Sequence, residues 1–156
     1  MRYLSRNFRM TIMEPHTWNI EWKDAMSVGI PEVDEDHQRF VFLINELNRA
    51  IVDRIDTREI KERLQLIFDD AVRHFALEER LFRQWKYPDA EEHANKHTEV
   101  LAALRMIMES SVSYDLPSEW ISVSLEVKER LINHLLTEDM KYAEYFHARK
   151  AQGGPS

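Results

Sequence analysis

The chain has 156 residues and a formal net charge of −7, with no cysteine and only three glycines. That length predicts one domain with a sizeable core, and the acidic balance argues against a nucleic-acid or anionic-membrane surface. Without cysteine, disulfides, thiolate ligation and iron–sulfur clusters are excluded, so any metal must be held by nitrogen and oxygen.

No run of about 18 apolar residues could span a bilayer, and the N-terminus carries charges in place of a signal-type apolar segment. A cytoplasmic protein without membrane insertion is expected. Scarce glycine leaves little material for strand-linking turns, which predicts an all-α fold.

Residues 1–17 read as a non-helical N-terminal arm, flexible or loosely docked. It carries Arg2, Arg6 and Arg9 with no acid before Glu14 and no sustained hydrophobic period. Trp18, Trp22 and the Gly29-Ile30-Pro31 stretch predict a non-helical segment that packs its large rings onto the domain as a lid. A first helix is expected from about Asp34 to Arg54, with His37, Phe40, Ile44, Leu47 and Ile51 on its inward stripe. A second, about Thr57 to Trp85, has the cleanest pattern: Ile60, Leu64, Ile67, Ala71, His74, Glu78, Leu81 and Trp85 alternate spacings of four and three. Histidine and glutamate thus occupy positions where leucine would serve. A buried unpaired carboxylate is costly, so Glu78 needs a cation.

Pro88 ends the second helix, and Asp89 with Glu92 resembles a capping pair that opens a third, running to about Ser111. Its stripe is Ala90, His93, His97, Val100 or Leu101, Leu104 and Met108. After Asp115-Leu116-Pro117 a fourth helix is expected over about Ser118 to Ala148, with Trp120, Val127, Leu131, Leu135, Tyr142 and Phe146 facing in. Short loops imply an antiparallel up-down-up-down four-helix bundle over residues 18–148, followed by a disordered tail over 149–156.

Taken singly the polar residues on these stripes are weak signals, since His and Glu four apart are ordinary on a helix surface. Their convergence is what matters. His37, His74, Glu78, His93 and His97 all fall on apolar stripes, and uncompensated polar groups stacked there would be badly destabilising. His134 adds a fifth histidine. The other two, His16 in the arm and His147 near the end of the last helix, have ordinary surface explanations, and Glu79 reads as a solvated or outer acid. For the carboxylate of the fourth helix, the same-face rule picks Glu138, about 40° from His134 against about 140° for Asp139. Asp139, however, aligns with Leu135, Tyr142 and Phe146 on the inward stripe, and a bridging carboxylate need not share a metal face with His134. Asp139 is therefore preferred, with non-α geometry expected between the two.

The motifs Val28-Gly29-Ile30, Val33-Asp34-x-x-His37, His74-Phe75-x-x-Glu78-Glu79, Tyr87-Pro88, His93-x-x-x-His97 and His134-x-x-x-x-Asp139 resemble the hemerythrin family, over about Trp22 to Tyr145. The resemblance implies a non-haem di-iron centre, two Fe ions with an oxo or hydroxo bridge. His93, His97 and His134 would hold one iron and His37 and His74 the other, with Glu78 and Asp139 bridging. The position left open on the two-histidine iron is where dioxygen would bind. Asp36 stands where the family commonly has glutamine, and Arg130 where a tryptophan is often found; an arginine facing the pocket would admit water.

The expected function is reversible dioxygen binding for storage, delivery or sensing, without catalytic turnover. A di-iron enzyme with peroxidase-like or nitric-oxide-processing activity is the alternative. A purely structural bundle holding zinc or nothing is the third reading.

Overall fold

A computed structural model describes residues 19–153. The arm over residues 1–17, with His16, lies outside them, as do Trp18 and the tail residues 154–156. Helices α1 (Pro31–Val52), α2 (Thr57–Trp85), α3 (Ala90–Ser110) and α4 (Pro117–His134) are joined by short connections. A π-helical turn, Leu135–Asp139, carries α4 directly into α5 (Met140–Ala151), so the three form one continuous fourth rod. Among the described residues there is no strand. α1 packs on α2 and α4, and α3 on α2 and α4, which closes an antiparallel four-helix bundle. The seam residues of α2 expected to face in are all buried.

Helix boundaries follow local chemistry. Pro31 is the first residue of α1 and not part of the preceding loop, because its missing N–H is no loss in the first turn. α1 ends at Val52, two residues short of expectation, where Arg54 turns into the left-handed region at φ 52°. At the α2 C-terminus Lys86 takes φ 53°, and the Tyr87 N–H bonds back to the Phe82 carbonyl over 3.0 Å. That reversal, with Pro88 behind it, aims α3 back along α2. The expected Asp89 cap does not form: its backbone sits at φ −97°, ψ 21° in the turn, outside the extended geometry of a capping residue. Towards the end of α3 Ile107 is buried, while Met108 is only partly so. At the start of α4 the Glu119 carboxylate instead accepts the N–H groups of Asp115 and Leu116, at 3.0 and 2.9 Å. α5 continues three residues past the expected Ala148, to Ala151.

The core is in two parts. One apolar cluster joins Phe40, Ile44, Ala71, Phe75, Val100, Leu104, Val127 and Leu131; the other joins Val33, Leu77, Leu81, Phe82, Trp85, Tyr87 and Tyr142. On every rod the boundary between them falls at the polar stripe residues: between Val33 and Phe40, between Phe75 and Leu77 with His74 and Glu78 on either side, between Ala90 and Val100, and between Leu131 and Tyr142. A polar layer cuts the bundle, and apolar plugs seal it at both ends.

The segment before α1 packs Met26 against Val41 and Leu135, with Ile20 and Trp22 alongside. Asn45 clamps it by exchanging two hydrogen bonds of 2.9 Å with the backbone of Ile20. At its other end His147 Nε2 donates to the Val28 carbonyl over 2.7 Å. Gly29 crosses that imidazole so closely, at φ +70°, that a β-carbon would lie 2.7 Å from Nε2. His147, expected to be an ordinary surface residue, is thus a tie between α5 and the lid.

Candidate metal centre

All seven residues expected at the site are buried in the polar layer: His37 from α1, His74 and Glu78 from α2, His93 and His97 from α3, His134 from α4 and Asp139 from the π turn. Their donor atoms fall into two groups. Glu78, His93, His97, His134 and Asp139 offer atoms within 4.8 Å of one another, as do His37, His74, Glu78 and Asp139. The two carboxylates alone belong to both.

Their oxygens divide accordingly. Glu78 Oε2 lies 2.9 Å from His97 Nε2, and Asp139 Oδ1 lies 3.1 Å from both His93 Nε2 and His134 Nε2. The opposite oxygens face the other pair, with Glu78 Oε1 3.5 Å from His74 Nε2 and Asp139 Oδ2 3.2 Å from His37 Nε2. Asp139 Oδ1 and the Nε2 atoms of His93 and His134 have no hydrogen-bond partner despite these distances. Buried orphans of that kind are costly, and lone pairs converging on a shared point are what a cation neutralises. Five imidazole nitrogens with two carboxylates fit a divalent transition metal in each half.

The π turn makes this possible from α4. Residues five apart diverge on an α-helix, and the wider i to i+5 turn swings Asp139 back towards the side of His134. Asp139 is 1% exposed, whereas Glu138 reaches outward to Lys141 at 2.8 Å.

Outer partners fix several of the imidazoles. His97 Nδ1 donates to Glu79 Oε1 over 2.9 Å, and His74 Nδ1 to Asp36 Oδ2 over 3.1 Å, which leaves each Nε2 lone pair aimed inward. Asp36 is gripped by Arg73 through contacts of 3.1 and 2.7 Å, and Asp70 ties Arg73 to Arg39. The Tyr142 hydroxyl donates to Glu78 Oε1. Glu79 takes the outer place that the sequence allowed it, whereas Asp36 showed there only as a departure from a motif and Tyr142 only as core. A weak signal existed: Tyr142 stands one turn after Asp139, on the same stripe.

The charges interlock without any ion. Burial alone would raise the Glu78 and Asp139 carboxyls, but the surrounding imidazoles hold both well below the usual range. Burial likewise disfavours charge on His74, yet Glu78, Asp36 and Asp139 push it up to about 10. Asp36 falls to about 2 against its own burial, through its bonds to His74 and Arg73. In the metal-free chain protons therefore stand in for cations, and metal loading must displace them.

A family model described as the hemerythrin HHE cation binding domain matches residues 28–146. The chain belongs to the hemerythrin family. Its similar relatives include a bacteriohemerythrin of Stenotrophomonas maltophilia (strain R551-3), 28% identical over 133 residues that cover 84% of each chain. A hemerythrin-like protein of Naegleria gruberi is 27% identical over 85% of this chain and 94% of its own length. The myohemerythrin of Riftia pachyptila is 26% identical over 78% and 88%. Members of the hemerythrin family are oxygen-binding, non-enzymatic proteins with non-haem di-iron sites, and the hemerythrin domain implies iron binding here.

Arg130 stands apart from the buried layer. Its side chain is 51% exposed, pairs with Glu126 at 3.8 Å, and lines with Lys96, Glu129, Asn133 and the edge of His134 a surface cleft of about 330 Å³. Among the described residues no helix is long and apolar enough to cross a membrane.

Proposed function

We propose that the protein binds dioxygen reversibly at two irons, with His93, His97 and His134 on one, His37 and His74 on the other, and Glu78 and Asp139 bridging. One observation carries the reading: each carboxylate turns one oxygen to the three-histidine half and the other to the two-histidine half. A single-ion or purely structural site has no need of that division. When bound, such an iron pair supplies two electrons and an open coordination position to dioxygen. The chain's own part is to hold and seal. Tyr142 holds the Glu78 carboxylate, Asp36 and Glu79 set the His74 and His97 rings, and Phe40, Phe75 and Phe82 pack against the imidazoles to exclude water. Five imidazoles against two carboxylates form a donor set that favours holding dioxygen, for storage, delivery or sensing, over activating it.

Anaerobic titration with ferrous ion tests the ligand reading. Binding should saturate at two irons per chain, and saturation at one would break the bridged arrangement. The exposed position of Arg130 carries a second expectation. Replacing it by tryptophan should leave the decay rate of the oxygenated form unchanged, because the guanidinium turns outward to Glu126 and away from His134 in the cleft they share. Slower decay in Arg130→Trp would show that this side chain admits water.

A further inference from the structure

We infer that Tyr142, Tyr87 and Tyr145 form a relay that carries oxidising equivalents from the metal centre to the surface when the centre meets hydrogen peroxide. The inference rests on the di-iron reading and goes beyond oxygen binding. Tyr142 is fully buried, and its hydroxyl donates to Glu78 Oε1. Its ring lies 6.4 Å, centroid to centroid, from that of Tyr87, and Tyr87 lies 5.2 Å from Tyr145. Tyr145 is partly exposed at the protein surface, with its hydroxyl 3.3 Å from the carbonyls of Trp85 and Lys86. Three oxidisable rings therefore stand in contact between the buried layer and solvent. The neighbouring branch through Trp85, 6.0 Å from Tyr142, meets Phe146 next, a ring that is much harder to oxidise.

Each ring has somewhere to put its proton. Tyr142 can pass its own along the existing hydrogen bond to Glu78. Tyr87 shares a small surface pocket with Asp89, Glu92 and Glu138, and Tyr145 opens to water. The overall step is H2O2 + 2 Tyr–OH → 2 H2O + 2 Tyr–O•. The O–O bond breaks, peroxide gains two electrons and two protons, each tyrosine loses one of both, and the metals undergo no net change. An electron moves from Tyr87 to the Tyr142 radical while Glu78 returns its proton, then from Tyr145, which releases its proton to water, to Tyr87; the second equivalent follows the same path once Tyr145 has been reduced again. The radical ends where a small reducing agent can quench it, away from the histidines that hold the site.

The test treats the iron-loaded chain with hydrogen peroxide in the presence of a nitroso spin trap and maps the adducts by mass spectrometry. Iron content and the oxygenated spectrum are measured on the same sample. The trap should mark Tyr145 and spare Tyr114, which sits beside Trp120 in the other apolar cluster. Tyr142→Phe and Tyr87→Phe should each lower Tyr145 labelling several-fold. In Tyr87→Phe the electron paramagnetic resonance signal of a buried tyrosyl radical should persist, and Tyr142→Phe should lose it. Labelling of Tyr145 in either variant as heavy as in the unsubstituted chain, or labelling of Tyr114 as heavy as that of Tyr145, overturns the relay. Iron-loaded, oxygen-binding chain with Tyr145 unlabelled overturns the relay alone; a chain that takes up no iron overturns the di-iron reading and the relay with it.

Discussion

Stripping the iron should lower the melting temperature by roughly 10 °C, because a metal held about 1,000-fold above its dissociation constant adds about 4 kcal/mol, and each kcal/mol moves a chain of this size by about 2–4 °C. The structure gives the effect a location. The polar layer interrupts the core on all four rods, and without metal it leaves buried atoms of His93, His134 and Asp139 unpartnered. Protons on His74 and His134, both pushed up against their burial by the carboxylates beside them, offset part of that cost, so the metal-free bundle should still fold, with a lower melting point. Differential scanning calorimetry before and after chelation makes the comparison, and identical melting curves would mean that the seven residues do not hold a metal together.

Asp139→Ala should abolish two-iron binding, while Glu138→Ala should leave it intact. Losing an outer hydrogen-bond partner alone commonly costs about 10- to 100-fold in metal affinity, and loss of a shared ligand should exceed that. Asp139 lies within 3.2 Å of His37, His93 and His134, so its removal strips an oxygen from both halves at once. Glu138 contacts Lys141 at the surface, and its loss leaves the buried layer untouched. Iron per chain and the visible spectrum read both variants, and a Glu138→Ala chain that lost its iron while Asp139→Ala kept it would reverse the assignment of the second carboxylate.

Much of this arrangement was legible in the sequence, and the reason is geometric. A stripe with period near 3.5 fixes which side chains share a helix face, so the inward positions of His37, His74, Glu78, His93 and His97 follow from spacing alone. The same logic misdirects at Asp139, since an ideal helix favours Glu138. Only the inward stripe and the expected break in α geometry point correctly, and the π turn at Leu135–Asp139 supplies that break. What spacing does not carry is contact between helices. Asp36 on α1 and Arg73 on α2 meet and orient His74, a pairing that the spacing along neither helix shows. The role of His147 was hidden likewise, because its partner is a backbone carbonyl more than a hundred residues away. The Asp89 cap failed for a local reason: the tight turn after Pro88 sets its backbone, and propensity yields to it.

Cycling oxygen over the reduced, iron-loaded protein is the most direct test of reversible binding. The account predicts a visible absorption that appears on adding dioxygen, vanishes when the gas is removed, and returns undiminished over several cycles without added reductant. A spectrum that converts in one pass to a ferric form, or that consumes reductant with each cycle, would contradict it.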